Sequence, residues 1–374
     1  MRLVWAGTFD PDFSRNKKLA RLLAIAGIEA EVVRETVWSA DRIALAERPS
    51  LRVALRALVR YPLLLVRLLR RPAPDLYLVS YPGWFDMPVV RLAAALKRAP
   101  VVFDPFFSLH DTVVSDRGLY SGRSLVARFA AFFDRWSLRL ADTVIADTEP
   151  QLELYRELAG GLKRAGGVLA VGADDDLFFP RPEPDEQPKV VLYYGKLIPL
   201  HGVVTIVEAA ASLQSSGLHT VMIGEGPDRD VLDEAIARTG AVIERHGMIP
   251  LEELPAHVAR AAVCLGVFGA SEKAGRVIPH KVYEALAMRR PVVTRDGPAV
   301  RAAFIDGEVV AIPPEDPHAL ADAIRALMAQ PNRREQIADA GHRAYVSRFE
   351  QRRLSAELVG ILQATVRERD LPLS

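Results

Sequence analysis

The chain has 374 residues, half of them hydrophobic, and its 48 lysines and arginines almost cancel its 47 acidic residues, for a formal charge of +1. That balance gives no general drive toward nucleic acid, and the single cysteine, Cys264, excludes an internal disulfide and fits a reducing compartment. The length exceeds what one hydrophobic core usually serves and suits two α/β domains.

Met1 to Gly7 reads as a strand entering a turn, without the long apolar core of a secretion signal, so the expected location is the cytoplasm. Short apolar runs then recur between helical patterns: Leu3 to Ala6, Ala30 to Val33, Leu76 to Val79, Pro100 to Phe103, Thr143 to Ala146 and Val168 to Val171. Strands without a polar face, alternating with helices, predict a parallel sheet covered on both sides. Gly7-Thr8-Phe9-Asp10 after the first strand offers one glycine where a nicotinamide dinucleotide site needs Gly-x-Gly-x-x-Gly. Arg15 and Asn16 follow it, either facing a ligand or belonging to the cap of the next helix.

Between the second and third strands, Leu51 to Arg71 places Arg52, Arg56, Arg60 and Arg67 on one helical face beside Leu55, Leu58, Val59, Leu63, Val66 and Leu69, with Pro62 allowing a kink. Two readings stand: a helix lying on an anionic membrane surface, which Trp84 and Phe85 would deepen, or a domain helix with a solvated arginine face. After the fourth strand comes Asp104-Pro105-Phe106-Phe107-Ser108-Leu109-His110-Asp111-Thr112, rich in groups that accept or give a proton. Asp111 is equally suited to capping a helix.

Gly172 to Asp176 and the run Pro180 to Pro188 interrupt regular structure and predict the interdomain hinge. The triple aspartate Asp174 to Asp176 falls in this turn and is assigned no metal. A second strand series follows at Val190 to Tyr194, Thr220 to Ile223, Val242 to Arg245, Val263 to Val267, Pro291 to Thr294 and Val309 to Ile312. Cys264, between Val263 and Leu265, reads as a small buried apolar residue.

Several strand ends of this half carry glycines and cations: Gly195-Lys196-Leu197-Ile198-Pro199-Leu200-His201-Gly202, Gly224-Glu225-Gly226-Pro227 and Arg245-His246-Gly247. Open α/β sheets bind ligands at the carboxyl ends of their strands, so these loops belong to a cleft. Phe268 to Arg276 then leads into Val277-Ile278-Pro279-His280-Lys281-Val282-Tyr283-Glu284, a charged turn opening an apolar helix before Arg290-Pro291-Val292-Val293. A helix N-terminus with cations beside it can hold a diphosphate.

The proline, lysine and glutamate spacing of this last stretch resembles the retaining glycosyltransferases of family 4. The resemblance implies the GT-B architecture: two doubly wound, Rossmann-like parallel-sheet domains facing across a cleft. The expected domains are an acceptor-side domain over 1–180, a nucleotide-sugar domain over 188–348, and a final helix over 349–374 crossing back to the first. It implies a metal-independent, hexosyl-type transfer from a nucleoside-diphosphate sugar to an acceptor hydroxyl in polysaccharide or glycolipid synthesis. The donor is a substrate and no cofactor is called for. The partners implied are the nucleotide sugar and a polysaccharide or lipid-linked acceptor, and a lipid-linked acceptor would suit the reading of Leu51 to Arg71 as a helix at the inner face of the membrane.

By the same resemblance, Lys196 stands for an arginine and His201 for a lysine that neutralise the departing diphosphate; a cationic His201 needs a raised pKa. Gly7 underlies the sugar diphosphate, and either His110 or Asp111 contacts the donor sugar. Gly195 and Gly224 let the backbone approach the donor, His246 marks the place of the base, and Glu284 and Lys281 belong to the donor helix. The family's paired glutamate is met only at Glu284, since Arg276 fills the first place. Either Glu272 serves the sugar, or the backbone near Lys273 to Gly275 does and Arg276 binds phosphate, the reading a guanidinium's shape favours. The missing glutamate and the histidine at 201 leave one alternative, a nucleotide-sugar-binding protein without turnover, and a nucleotide-sugar epimerase of the same fold is a second.

Overall fold

The computed structural model describes residues 1–37, 51–116, 121–182 and 189–368. The chain divides into two compact units, Met1–Ala170 with Leu354–Ser374, and Val171–Arg353. The boundary thus falls at Val171, ahead of the proline-rich run, and the last helix joins the first unit from Leu354. The Arg52 side chain, residues 183–188 and with them the expected domain start at Pro188 lie outside the described residues.

In the first unit the elements are β1 (Leu3–Gly7), α1 (Ser14–Ile25), β2 (Ala30–Arg34), α2 (Leu51–Arg70), β3 (Leu76–Ser80), α3 (Met87–Lys97), β4 (Val101–Asp104), α4 (Leu125–Leu140), β5 (Thr143–Ala146), α5 (Glu149–Ala159) and β6 (Gly167–Val168). All pairings are parallel, in the order β2-β1-β3-β4-β5-β6. The order reverses at β1, and right-handed crossovers therefore send α1 to one face and α2 to α5 to the other. Consistent with this, α2, α3, α4 and α5 pack as successive neighbours. Strands β1, β3, β4 and β5 are buried throughout, as apolar runs covered on both faces must be.

Strand β6 stops at Val168, short of the expected Val171, and the reason is Arg15. Its guanidinium donates to the Leu169 and Ala170 carbonyls, turning the chain out of the ladder. Pro62 lies inside a continuous α2 rather than breaking it. The carbonyl it deprives of a partner belongs to exposed Leu58 and stays within reach of water.

The second unit runs β7 (Val190–Tyr194), α6 (Val203–Leu213), β8 (His219–Ile223), α7 (Arg229–Thr239), β9 (Ile243–His246), α8 (Leu254–Arg260), β10 (Ala261–Leu265), α9 (Glu272–Arg276), α10 (His280–Ala287), β11 (Val292–Arg295), α11 (Pro298–Ala303), β12 (Val310–Ile312), α12 (Pro317–Ala329), α13 (Pro331–Arg348) and α14 (Gln351–Arg367), whose later turns belong to the first unit. Its sheet is parallel in the order β12-β11-β10-β7-β8-β9. Strand β10 begins two residues before the expected Val263, because Ala261 already pairs with Val190 across a register shift. Cys264 is buried in this strand.

Two six-stranded parallel sheets, each with helices on both faces, make the α/β two-domain architecture expected above. In each sheet the direction of winding reverses between two adjacent strands, β1 and β3 in one, β7 and β10 in the other. Ligands of such sheets bind beyond the strand ends at that point.

Candidate active site

In the second unit the loops following β7, β8 and β10 meet the start of α10. Gly195 ends β7 at φ +135, and Gly224 ends β8 at φ +145, with its missing Cβ only 1.9 Å from the Gly195 carbonyl oxygen. Only glycine tolerates either backbone without strain, and nothing larger fits at Gly224. Beyond Gly195, Gly202 passes against Phe268 and Gly269, whose amides donate to the His201 and Leu200 carbonyls. Leu200, Val267 and Ala274 close a small apolar cluster beneath, so the loop after β7 is tied to the segment after β10.

Lys281 stands at the focus of these loops. Its side chain is buried, with Nζ 4.0 Å from the centre of the Tyr193 ring and without a hydrogen-bond acceptor among the described residues. A methyl group on Gly195 would lie 3.0 Å from Lys281 Nζ and 3.6 Å from His201 Cε1. Burial pulls the Lys281 pKa from 10.5 down to about 7, with the Glu284 carboxylate one helical turn later opposing the shift. Glu284 is half-buried and also acts electrostatically on Tyr194, whose hydroxyl donates to the Lys281 carbonyl.

The surroundings of His201 oppose the raised pKa that a cationic role requires. Its Nδ1 lies against the Lys196 carbonyl, which can only accept, so Nδ1 carries the hydrogen in the neutral ring; the Tyr193 hydroxyl is 2.8 Å away and also donates to that carbonyl. Burial and the nearby Lys281 ammonium push the His201 pKa well below its usual value. His201 therefore fixes the loop as a neutral group, and the buried amine beside it is that of Lys281.

The remaining residues singled out in this unit divide by exposure. Lys196 is exposed, and its carbonyl organises the loop by accepting from Tyr193 and His201. Arg276 is largely buried at the end of α9 and pairs with Glu272 at 3.3 Å, while Glu272 itself points to solvent. Lys273 is buried in the same turn. Arg295, unremarked in the sequence, holds that turn in shape by donating to the Gly269 and Ser271 carbonyls. His246 pairs with Glu244 at 2.7 Å, and its carbonyl accepts from the Gly224 amide. Asp174 and Asp175 accept from Gln351, and Asp175 also accepts from the Tyr345 hydroxyl, so these aspartates tether the start of α14.

In the first unit the reversal between β1 and β3 is occupied by Asp86. Its carboxylate accepts from the Thr8 amide at 2.7 Å and the Thr8 hydroxyl at 2.8 Å, and it fills the space a Cβ on Gly7 would need. The glycine at position 7 thus accommodates Asp86 rather than leaving an open loop. Burial raises the Asp86 pKa from 3.8 to about 6, against the Thr8 and Tyr61 hydrogen bonds. Arg15 and Asn16 face inward, contrary to an acceptor-facing role: Arg15 pairs with buried Asp104 at 2.8 Å, and Asn16 donates to the Asp10 and Tyr81 carbonyls. Trp84 is likewise buried core, not a surface anchor.

His110 and Asp111 lie together where the loop after β4 opens a short π-helical turn, Asp111–Asp116, with His110 half-buried and Asp111 buried. A carboxylate the sequence reading missed holds them. Asp134, on α4, accepts from the Ser108 hydroxyl at 2.7 Å and from the Leu109 and His110 amides at 2.9 Å. Burial, abetted by the Asp111 charge, raises its pKa to about 6. The signal was present as the one acidic residue in the run Leu125 to Leu140.

Residues 174–344 match the family of glycosyl transferases group 1, and residues 16–166 match the glycosyl transferase 4-like domain. The α-D-kanosaminyltransferase of Streptomyces kanamyceticus is 31% identical over 160 residues, which are 41% of this chain and 40% of that protein. The alignment therefore spans less than half the length of that relative. TuaC of Bacillus subtilis, a glycosyltransferase assigned to teichuronic acid biosynthesis, is 25% identical over 287 residues, 74% of this chain and 68% of its own. Among solved structures, Anabaena Alr3699/HepE in complex with UDP and glucose superposes with a TM-score of 0.69 over 97% of this chain and 100% of that one, at 16% identity, a likeness of fold. With a glycosyl transferase 4-like domain in its first unit and a group 1 glycosyl transferase domain in its second, on two six-stranded parallel sheets, the chain is a glycosyltransferase of the GT-B fold.

Proposed function

We propose that this glycosyltransferase moves a hexose or related sugar from a nucleoside diphosphate to an acceptor hydroxyl with retention of configuration, as its resemblance to family 4 implies. The observation that carries the reading is the buried Lys281 amine, which has no hydrogen-bond acceptor among the described residues and stands beside Gly195 at the end of the sheet. A buried charge is costly unless it is paired, and an anion at this point supplies the pair. As the bond between the anomeric carbon and the phosphate oxygen breaks, negative charge grows on the diphosphate. Lys281, Arg276, Lys196 and the N-terminus of α10 stabilise it there, so the reading needs no resident metal.

In this reading Glu284 holds the ribose hydroxyls, the turn of Lys273 to Arg276 takes phosphate or sugar, and His110 or Asp111 serves the donor sugar. The UDP of the HepE complex supports a uridine donor as the first to test, and the teichuronic acid relative supports a polysaccharide or lipid-linked acceptor. The test is incubation with a panel of nucleotide sugars, with and without membrane lipid extract, following nucleoside diphosphate release and the anomeric configuration of the product. Release that depends on the extract, with a retained centre, supports the transfer. Nucleotide binding without release for any donor removes the catalytic reading, and an inverted sugar centre on an intact nucleotide replaces it with epimerisation.

A further inference from the structure

Three neighbouring helices of the first unit turn apolar side chains outward. On α2, exposed Leu55, Leu58, Val59, Val66 and Leu69 recur at helical spacing, on the side opposite buried Leu64 and Leu68. On α4, Leu125, Phe129, Phe132 and Trp136 follow at intervals of four, three and four, with Leu125 80% and Phe132 56% exposed. Helix α3 packs against both and adds exposed Leu92 and Leu96. The inner faces of α2 and α4 are already buried, at Leu64 and Leu68 and at Ala127, Ala130 and Leu138, so these outward stripes contribute little to the core. Apolar surface of this extent marks an interaction site.

Charge selects the occupant. Helix α2 carries five arginines, α3 one arginine and one lysine, and α4 three arginines. The single acidic residue of the three helices is Asp134, whose carboxylate is buried in the loop Ser108 to His110. Glu35, beyond β2, pairs with both Arg60 at 2.9 Å and Arg67 at 2.7 Å, one negative charge against two positive. Arg56 and Arg128 are exposed beside the stripes. A second copy of this cationic face would repel it, whereas a surface combining apolar depth with phosphate charge complements both features. No described helix is long and apolar enough to cross a bilayer, so the contact is one of lying on it.

We infer that the outer face of α2, α3 and α4 docks on an anionic phospholipid bilayer, with the aromatic stripe of α4 entering the interface and the flanking arginines meeting lipid phosphates. Aromatic anchors of this kind favour the level of the headgroups, and each arginine there strengthens attachment about fivefold.

The test is co-sedimentation of the full chain with vesicles of equal parts phosphatidylcholine and phosphatidylglycerol, and with phosphatidylcholine alone. The wild type is expected to bind the mixed vesicles, to release them as salt rises, and to shift its tryptophan emission to the blue. Of the four tryptophans, Trp5 and Trp84 are buried and Trp38 lies outside the described residues, so the comparison is made in a Trp38→Phe background, where Trp136→Phe should keep binding and lose most of that shift. The exposed substitutions Phe129→Gln, Phe132→Gln and Trp136→Gln together should cut vesicle binding by about tenfold or more while leaving the melting temperature unchanged. A wild type that ignores the mixed vesicles at low salt, or a triple variant that binds as well as wild type, overturns the proposal. So does a triple variant whose only change is loss of a concentration-dependent dimer, which would make this face an interface between copies. The groups proposed to hold the nucleotide, Lys281 and Glu284 among them, lie in the second unit, and nucleotide affinity measured alongside separates failure here from failure of the transfer reading.

Discussion

The Lys281 ammonium lies 4.0 Å from the centre of the Tyr193 ring, and the ring face is the nearest compensation its charge has. A cation over an aromatic face is stabilised by about 0.5–2 kcal/mol, less than burial of the charge costs. The site is therefore poised for an anion, and its behaviour with pH follows. With its pKa at about 7, Lys281 is half protonated near neutrality, and an arriving diphosphate favours the ammonium. Nucleoside diphosphate binding should take up a proton near pH 7, and Kd should rise by up to about tenfold per pH unit above it until the pKa of the complex is reached. Calorimetry in buffers of different ionisation enthalpy measures the uptake directly; zero uptake at pH 7 to 8 would take Lys281 out of the site.

Lys281→Met keeps the length of the side chain and removes the charge. Affinity for UDP should fall by about 2 kcal/mol, roughly thirtyfold, the scale of a hydrogen bond to a charged group. The fold should be no less stable, because burial of the ammonium is itself unfavourable at neutral pH. A variant that binds UDP as wild type does would refute the pairing.

His201→Gln distinguishes the neutral loop-fixing role from the cationic one. Glutamine can donate to the Lys196 carbonyl as Nδ1 does, so nucleotide affinity should change by less than about threefold. A loss as large as that of Lys281→Met would show that His201 carries charge in the complex.

Glu284→Ala removes the carboxylate from the helix that starts beside the phosphate site. Nucleotide affinity should weaken by about 1–3 kcal/mol, the cost of leaving a hydrogen-bond partner unsatisfied, with the melting temperature little changed. Unaltered affinity by calorimetry would remove Glu284 from the ribose.

The two buried carboxyls of the first unit predict a stability profile. Asp86 and Asp134 each rise from 3.8 to about 6, so the folded state binds more protons than the unfolded chain between those values. Their protonated forms contribute stability on the acid side that is lost as pH rises through about 6. Urea titrations at pH 5 and pH 7 should show a smaller difference in Asp86→Asn than in wild type; equal differences would assign the effect elsewhere.

The alternation of apolar runs with helical patterns made both parallel sheets legible, because a strand buried on two faces has no polar side to hide it. The glycines at 195 and 224 were legible for a related reason: a strand end that must approach another backbone admits no side chain. Asp86 and Asp134 escaped notice because each acts through a fold-distant partner, Thr8 and the loop Ser108 to His110, that no local spacing reveals. The α4 stripe escaped because an outward apolar row and an inward one have the same period.

Sequence alone determined the α/β class, the strand ends that carry glycine and cation, and the placing of Lys281 and Glu284 one turn apart on one helix. Those are properties of neighbouring residues, set by period and by backbone freedom. Tertiary structure decided which of the cations is buried and which is exposed, setting His201 as a neutral strut against the Lys196 carbonyl and Lys281 as a buried amine with no hydrogen-bond acceptor among the described residues. It also turned Arg15, Asn16 and Trp84 inward and the aromatic row of α4 outward. Burial and electrostatic environment depend on what other segments bring to a position, and that is fixed only when the chain has closed on itself.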